Sequence, residues 1–177
     1  MLQEQTGRLS HLAEILLDMT GVQTVERSER ISLAALTDEV FCDLASVAEQ
    51  KEVELIQLEG DCIITGSYLL LYRAVYNLVE NAIKYNHSGG KVTVNIHPSE
   101  EITDTSTSVN YVFLEVSDTG IGIPPEYQEK IFTPFFRVDK SRSRAMGGAG
   151  LGLALVSEIV RQHNGQVKVL ESSKKAA

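Results

Sequence analysis

The sequence predicts an α+β fold, a two-layer α/β sandwich, on three observations. Segments with helical and strand periodicity are mixed without the strict β-α-β succession of a doubly wound sheet. The strand-like segments are short and bounded by polar or glycine-containing turns. The chain has 177 residues, 43% hydrophobic and 23% charged, which suits one globular domain with a modest extension.

The elements follow in order. Residues 9–20, "LSHLAEILLDMT", place Leu9, Leu12, Leu16 and Met19 at helical spacing, with Gly21 as a C-cap. "VQTVERSER" (22–30) is polar and aperiodic, a linker or hinge. "ISL" (31–33) reads as a short strand, and 34–51 as a helix with Leu36, Val40, Leu44 and Val47 on one face. "VELIQL" (53–58) alternates like a strand, and "CIIT" (62–65) follows the Gly60-Asp61 turn as another. Ser67 is the N-cap of a helix whose apolar arc is Leu71, Val75, Leu78, Val79 and Ala82. Strands are expected at 91–97 and 110–118, joined by the polar "PSEEITDTSTS". A short helix starts at Pro125, a longer one spans 150–163, and "QVKVLE" (166–171) closes as a strand. There is no internal repeat.

Composition removes several function classes. A formal net charge of −8 and a pI near 5.0 argue against nucleic acid or an anionic membrane as partner. Cys42 and Cys62 fit neither metal spacing nor a disulfide framework, so they read as small hydrophobes in a reducing compartment. No apolar run approaches the ~20 residues that span a bilayer, and the N-terminus lacks a signal-peptide pattern. The expectation is a cytoplasmic piece without a membrane segment, of a parent chain that has room for a membrane anchor.

Two stretches ask for a chemical reason. "NLVENAIKYN" (77–86) sets Asn77, Asn81 and Lys84 in one stripe of a helix, although Asn is a mediocre helix former. A solvated face would explain the stripe; so would a site in which amide oxygens ligate Mg²⁺ and the lysine meets a phosphate. "GGAGLGLALV" runs Gly147, Gly148, Gly150 and Gly152 into a helix, and amides at a helix N-terminus suit phosphate. It is neither a dinucleotide fingerprint, because "RVDKSRSRAM" and not an apolar strand precedes it, nor a P-loop, because Leu153 follows Gly152. In "DTGIGIP", Asp118 ends a strand where a carboxylate can accept from an exocyclic amine while Gly120 and Gly122 admit a flat ring. Lys140, Arg142 and Arg144 read as solvated surface or as a screen for a triphosphate.

Taken together and in this order, the motifs resemble the ATP-binding catalytic domain of two-component sensor histidine kinases. That family shares a Bergerat-type fold with DNA gyrase, mismatch-repair ATPases and a heat-shock chaperone. "NLVENAIKYN" looks like its N box, "DTGIGIP" its first glycine box, "FTPFFRVD" its F box and "GGAGLGL" its second glycine box, over roughly residues 31–171. The resemblance implies ATP and Mg²⁺ as cofactors, with Asn77 and Asn81 holding the metal. It implies Lys84 on phosphate, Tyr85 beside adenine or ribose, and Asp118 on the adenine amine with Gly120, Gly122 and Ile123 against the ring. Arg137 would approach the γ-phosphate, making Asn81, Lys84 and Arg137 the catalytic set. Gly148, Gly150, Leu151 and Gly152 would shape the phosphate loop. Residues 125–150 would be a mobile lid anchored by Phe132, Phe135 and Phe136, with Phe132 also among the ATP-binding residues.

The resemblance divides the chain into the end of a dimerisation helix plus linker (1–27) and the catalytic domain (28–177), with a truncated C-terminal strand. Its implied partners are a dimerisation domain carrying the phosphoacceptor histidine, and the receiver domain of a response regulator. Hydrolysing relatives carry a glutamate where this chain has Asn77, which is no base at neutral pH and favours transfer over hydrolysis. None of His11, His87, His97 or His163 has the acidic neighbour and Arg-x-Pro context of the family's phosphoacceptor, so that histidine is expected on another chain or segment. Glu80 is a candidate for assisting a proton or the N box. The alternative function is a degenerate module that binds nucleotide without catalysis.

Overall fold

The structure, a computed structural model, describes residues 25–99, 111–138 and 150–170. The expected helix at 9–20 with His11, the basic run 140–144, and Gly147 and Gly148 lie outside the described residues.

The elements are β1 (Glu29–Ser32), α1 (Leu33–Gln50), β2 (Glu54–Gln57), β3 (Ile63–Gly66), α2 (Tyr68–Lys84), β4 (Lys91–Pro98), β5 (Val112–Asp118) and α3 (Gly152–Gln162). Two 3₁₀ turns, Pro125–Tyr127 and Lys130–Phe132, stand where a short helix is predicted. One sheet has the order β2-β4-β5, with β2 parallel and β5 antiparallel to β4; β1 and β3 form a separate antiparallel ribbon. Helices α1 and α2 cover one face of the three-stranded sheet, giving the predicted two layers. Glu29 and Arg30, expected in a linker, instead begin β1 by pairing with Gly66 and Thr65.

Both long helices begin where the sequence supplies a cap. The Ser32 hydroxyl accepts from Ala35 N–H at 3.1 Å and donates to Asp61 at 2.8 Å. Asp61 also accepts from Ala34 N–H at 3.0 Å, and that bond first of all holds its carboxyl below the usual carboxylate range. One orphan amide of α1 is thus satisfied by its own cap and another from a turn distant in sequence. Ser67 caps α2 through Leu70 N–H, as its residue type suggests.

Leu36, Val40 and Leu44 of α1 are fully buried, but the fourth position of the stripe is Ala48. Val47 is 43% exposed, since the i+4 step from Leu44 lands on Ala48. This stripe meets Leu71, Val75, Val79, Ala82 and Ile83 of α2, and Val92, Val94 and Ile96 of β4, in one core. Leu36→Ala is expected to destabilise the fold by about 2–5 kcal/mol, because a fully buried leucine leaves a cavity the packed helices cannot close. Chemical denaturation measures it; a loss well under 1 kcal/mol would mean the core rearranges.

A second cluster places α2 between two partners. Leu70 and Ala74 pack on Leu155, Val156 and Ile159 of α3, with Leu78 alongside. His163 locks the same junction. Its Nε2 accepts from Ser67 N–H at 3.1 Å, and its Nδ1 lies 2.8 Å from the Ile159 carbonyl.

Among the described residues the expected closing strand is not formed, since 166–170 make no ladder. Val167 and Val169 still turn inward in alternation, but alternation alone makes no strand without a neighbour to share hydrogen bonds.

Candidate functional site

The stripe on α2 is half-buried and not a solvated face. Asn77 Nδ2 donates to the Arg73 carbonyl at 2.8 Å, so its amide nitrogen is held by the helix and its oxygen points away. Gly152, the first residue of α3, lies against that oxygen, and a Cβ there would sit 2.5 Å from Asn77 Oδ1. The packing of α3 on α2 therefore brings the end of the second glycine-rich stretch onto the first asparagine. Asn81 stands one turn further along the same side.

The C-terminal end of α2 is joined to the loop after β5. Ile121 N–H donates to the Tyr85 carbonyl at 3.2 Å, and a Cβ on Gly120 would come within 2.4 Å of that oxygen. Only glycine permits this approach, because the obstacle is backbone. Asp118 Oδ1 accepts from Gly120 N–H at 2.7 Å, which fixes the carboxylate and leaves its second oxygen for a ligand. Gly122 has a left-handed φ of +69°, and the Ile123 carbonyl accepts from Gln128 at 3.1 Å.

Three cations act together at the C-terminal end of α2, where Arg137 and Lys51 both bear on the charge of Lys84. Lys84 Nζ lies 5.7 Å from the centre of the Tyr85 ring. Burial first of all lowers the Lys84 pKa below the ordinary lysine value; Glu80 opposes this, while Arg137 and Lys51 add to it. Two side-chain nitrogens of Arg137, Nε and Nη2, are buried without a hydrogen-bond partner among the described residues. A guanidinium held beside a half-buried ammonium, with donors unsatisfied, is an arrangement an anion completes. Lys51, at the end of α1, donates to the Lys84 carbonyl at 2.9 Å and so occupies an orphan acceptor of the helix end.

Arg137 is placed there by its loop. Gly150 has a φ of +75°, and a Cβ on it would meet the Phe136 carbonyl at 2.8 Å and Arg137 Cγ at 3.2 Å. Phe135 N–H donates to the Gly150 carbonyl at 2.8 Å, and Leu151 behind it is fully buried. Phe136 packs on Tyr127, with ring centres 5.6 Å apart. Phe135 does not act as the expected apolar anchor. It adopts a φ of +64°, which turns its ring outward and leaves the residue 61% exposed. Phe132 lines a cavity of about 380 Å³ with Gln128, Glu129, Val167, Lys168 and Val169, and none of the α2 stripe shares it.

The sign of the Lys84 shift makes a pH prediction. The folded chain disfavours the ammonium, so folding stability gains as pH rises from the lowered pKa toward the ordinary lysine value. A bound phosphate reverses the preference by pairing with the charge. Affinity for a phosphate ligand should therefore fall as pH rises through that window, with proton uptake on binding. Calorimetry in buffers of different ionisation enthalpy reads this, and Lys84→Met should remove it.

Among the described residues no group of His, Cys, Asp and Glu is arranged to hold a metal. The hard donors on offer are the amide oxygens of Asn77 and Asn81, which suits a cation that keeps its waters and shares phosphate oxygens. Lys51, Asn86 and Thr119 were not legible as site residues, since each matters through a partner far along the chain.

Residues 66–176 match the family model of histidine kinase-, DNA gyrase B- and HSP90-like ATPases. The chain is 35% identical over 173 residues to the sensor histidine kinase RppB of Synechocystis, covering 94% of this chain and 36% of that protein. It thus spans about a third of the curated relatives' length. The mycobacterial sensor histidine kinase MprB superposes with a TM-score of 0.61 at 28% identity, over 77% of this chain and 80% of that one. Full-length ShkA in complex with AMPPNP has the same fold, with a TM-score of 0.72 at 24% identity over 96% of this chain and 35% of that one. No helix among the described residues is long and apolar enough to cross a membrane. The chain belongs to the histidine kinase-, DNA gyrase B- and HSP90-like ATPase family.

Proposed function

We propose that this chain is the Mg·ATP-binding catalytic domain of a sensor histidine kinase and transfers the γ-phosphoryl group to a histidine on a dimerisation domain. The observation that carries the reading is that Arg137, whose Nε and Nη2 are buried without a hydrogen-bond partner among the described residues, acts on the charge of Lys84, which shares a helix stripe with Asn77 and Asn81. Phosphoryl transfer asks a protein for positioning and neutralisation of charge, and this set supplies both.

The base would lie over the loop after β5, its exocyclic amine donating to Asp118, with Gly120, Gly122 and Ile123 against the ring and Tyr85 beside it. Asn77 and Asn81 would hold Mg²⁺, which when bound neutralises and orients the phosphate oxygens. Lys84 and Arg137 would draw charge from the γ-phosphoryl as the bond to ADP breaks and the bond to the imidazole nitrogen forms. Gly148, Gly150, Leu151 and Gly152 would shape the phosphate loop, and residues 125–150 would close as a lid. Asn77 stands where a water-activating glutamate would be needed, which favours transfer over hydrolysis. In this reading residues 28–177 are the catalytic domain, and 1–27 lead from the dimerisation helix. The phosphorylated histidine then serves the receiver domain of a response regulator, on the cytoplasmic side of whatever anchors the parent kinase.

The test has two stages. Calorimetric titration with a non-hydrolysable ATP analogue should show binding that Mg²⁺ strengthens. Mixing the chain with a separately made dimerisation domain and ATP should then yield acid-labile phosphohistidine that is lost in Asn81→Ala. No binding at millimolar nucleotide, or efficient hydrolysis without an acceptor, would overturn the assignment.

A further inference from the structure

Asn86 sits just past the end of α2 and is the one buried asparagine among the described residues. Its surroundings engage both ends of the amide. Nδ2 donates to the Lys91 carbonyl at 2.9 Å, while Oδ1 accepts from His87 N–H at 3.0 Å and from the Thr119 hydroxyl at 3.2 Å. Reversing the amide would face its nitrogen to an N–H and its oxygen to a carbonyl, so this orientation is the one the partners allow. Thr119 completes the ring. Its Oγ1 accepts from Lys91 N–H at 2.9 Å, and its own N–H donates to the Lys91 carbonyl at 3.1 Å.

Both lone pairs of the Lys91 carbonyl are therefore used, one by Asn86 and one by Thr119. Gly90 closes the arrangement against intrusion, because a Cβ there would lie 2.1 Å from Asn86 Oδ1. The ring ties three separate pieces together: the end of α2, the first residue of β4, and the residue between Asp118 and Gly120. Next to it on α2 is Tyr85, whose carbonyl takes Ile121 N–H. So the carboxylate of Asp118 and the helix carrying Asn81 and Lys84 are held in one register by a residue that itself faces neither.

We infer that Asn86 is a positioning residue for base selection, holding Asp118 so that it accepts an amino group and repels a carbonyl at the same position of a purine. The inference rests on the nucleotide reading above. Adenine presents an amine there and guanine an oxygen. A carboxylate free to turn away rejects the oxygen weakly; one whose Oδ1 is fixed on Gly120 N–H, in a loop pinned by Asn86, cannot turn. The ring bears on the base end through Thr119 and Asp118; at the phosphate end Lys84 keeps its place through the hydrogen bonds and core packing of α2 itself, and Arg137 is carried by its own loop.

The experiment compares affinities of the whole chain for a non-hydrolysable ATP analogue, the matching GTP analogue and magnesium tripolyphosphate. The native chain, Asn86→Ala, Thr119→Val and Thr119→Ser are measured, each first checked for a cooperative melt. Asn86→Ala and Thr119→Val should each weaken the ATP analogue by about tenfold, as expected for loss of a buried hydrogen-bond partner, and narrow the adenine-over-guanine ratio. Tripolyphosphate affinity should stay within about twofold, since mutations at separate, independent contacts act separately. Thr119→Ser keeps the hydroxyl and should restore discrimination. If Asn86→Ala does not fold, the threonine pair decides. An unchanged ratio in Thr119→Val, or equal losses for ATP and tripolyphosphate, would overturn the positioning role while leaving the nucleotide site intact. A native chain that binds tripolyphosphate but no nucleotide overturns the base site and this inference with it.

Discussion

Arg137→Met is expected to lower phosphotransfer by about two to three orders of magnitude while leaving the free chain at least as stable as the native one. The two effects have one origin. Arg137 buries Nε and Nη2 without hydrogen-bond partners among the described residues and lies close enough to Lys84 to disfavour its charge. Both conditions cost folding energy in the absence of an anion, and both become favourable when charge develops between the two cations. Methionine keeps the stem volume without the unsatisfied donors. Thermal melting and single-turnover transfer to a supplied dimerisation domain measure the two sides. A variant that melts lower and transfers normally would show that the guanidinium is a structural group and not part of the chemistry.

Asp118→Asn should weaken nucleotide binding by about ten- to a hundredfold without disturbing the fold, the range set by a charge-assisted hydrogen bond of about 1.5–3 kcal/mol. Asparagine still offers an oxygen to Gly120 N–H, so the loop keeps the bond that shapes it. What is lost is the carboxylate oxygen facing outward, replaced by an amino group that opposes the amine it should receive. The loss should appear with the nucleoside alone and be absent with tripolyphosphate. Undiminished nucleoside binding would move the base to another part of the molecule.

The two substitutions report on opposite ends of the site, and their independence has a structural basis. Asp118 is held by β5 and the α2 end, whereas Arg137 is delivered by the segment that Gly150 docks.

Much of this was legible in the sequence because it rests on short-range rules. The α2 stripe follows from a helical period, and its start from a serine that can cap. The alternation of 91–97 and 110–118 gives β4 and β5 nearly as observed. Errors cluster where a residue's state depends on a partner far along the chain. Glu29 and Arg30 look like linker because their strand character comes from β3. Val47 satisfies the helical pattern as well as Ala48 does, and only the position of β2 and β4 decides which faces inward. The 166–170 segment has strand alternation yet no ladder, a property no segment possesses by itself.

By itself the sequence determined which residue types are available, in which order and on which face of each helix, and four motifs in that order already pointed to one family. The tertiary structure alone decided that the stripe is half-buried, that Gly152 stops against Asn77 and Gly120 against Tyr85, and that Lys51 meets Lys84 and Asn86 meets Thr119 across the chain. The reason is the range of the forces. Capping and periodicity act within a few residues and are written locally, whereas close approach, desolvation and the meeting of Lys84 with Arg137 exist only after distant segments have packed.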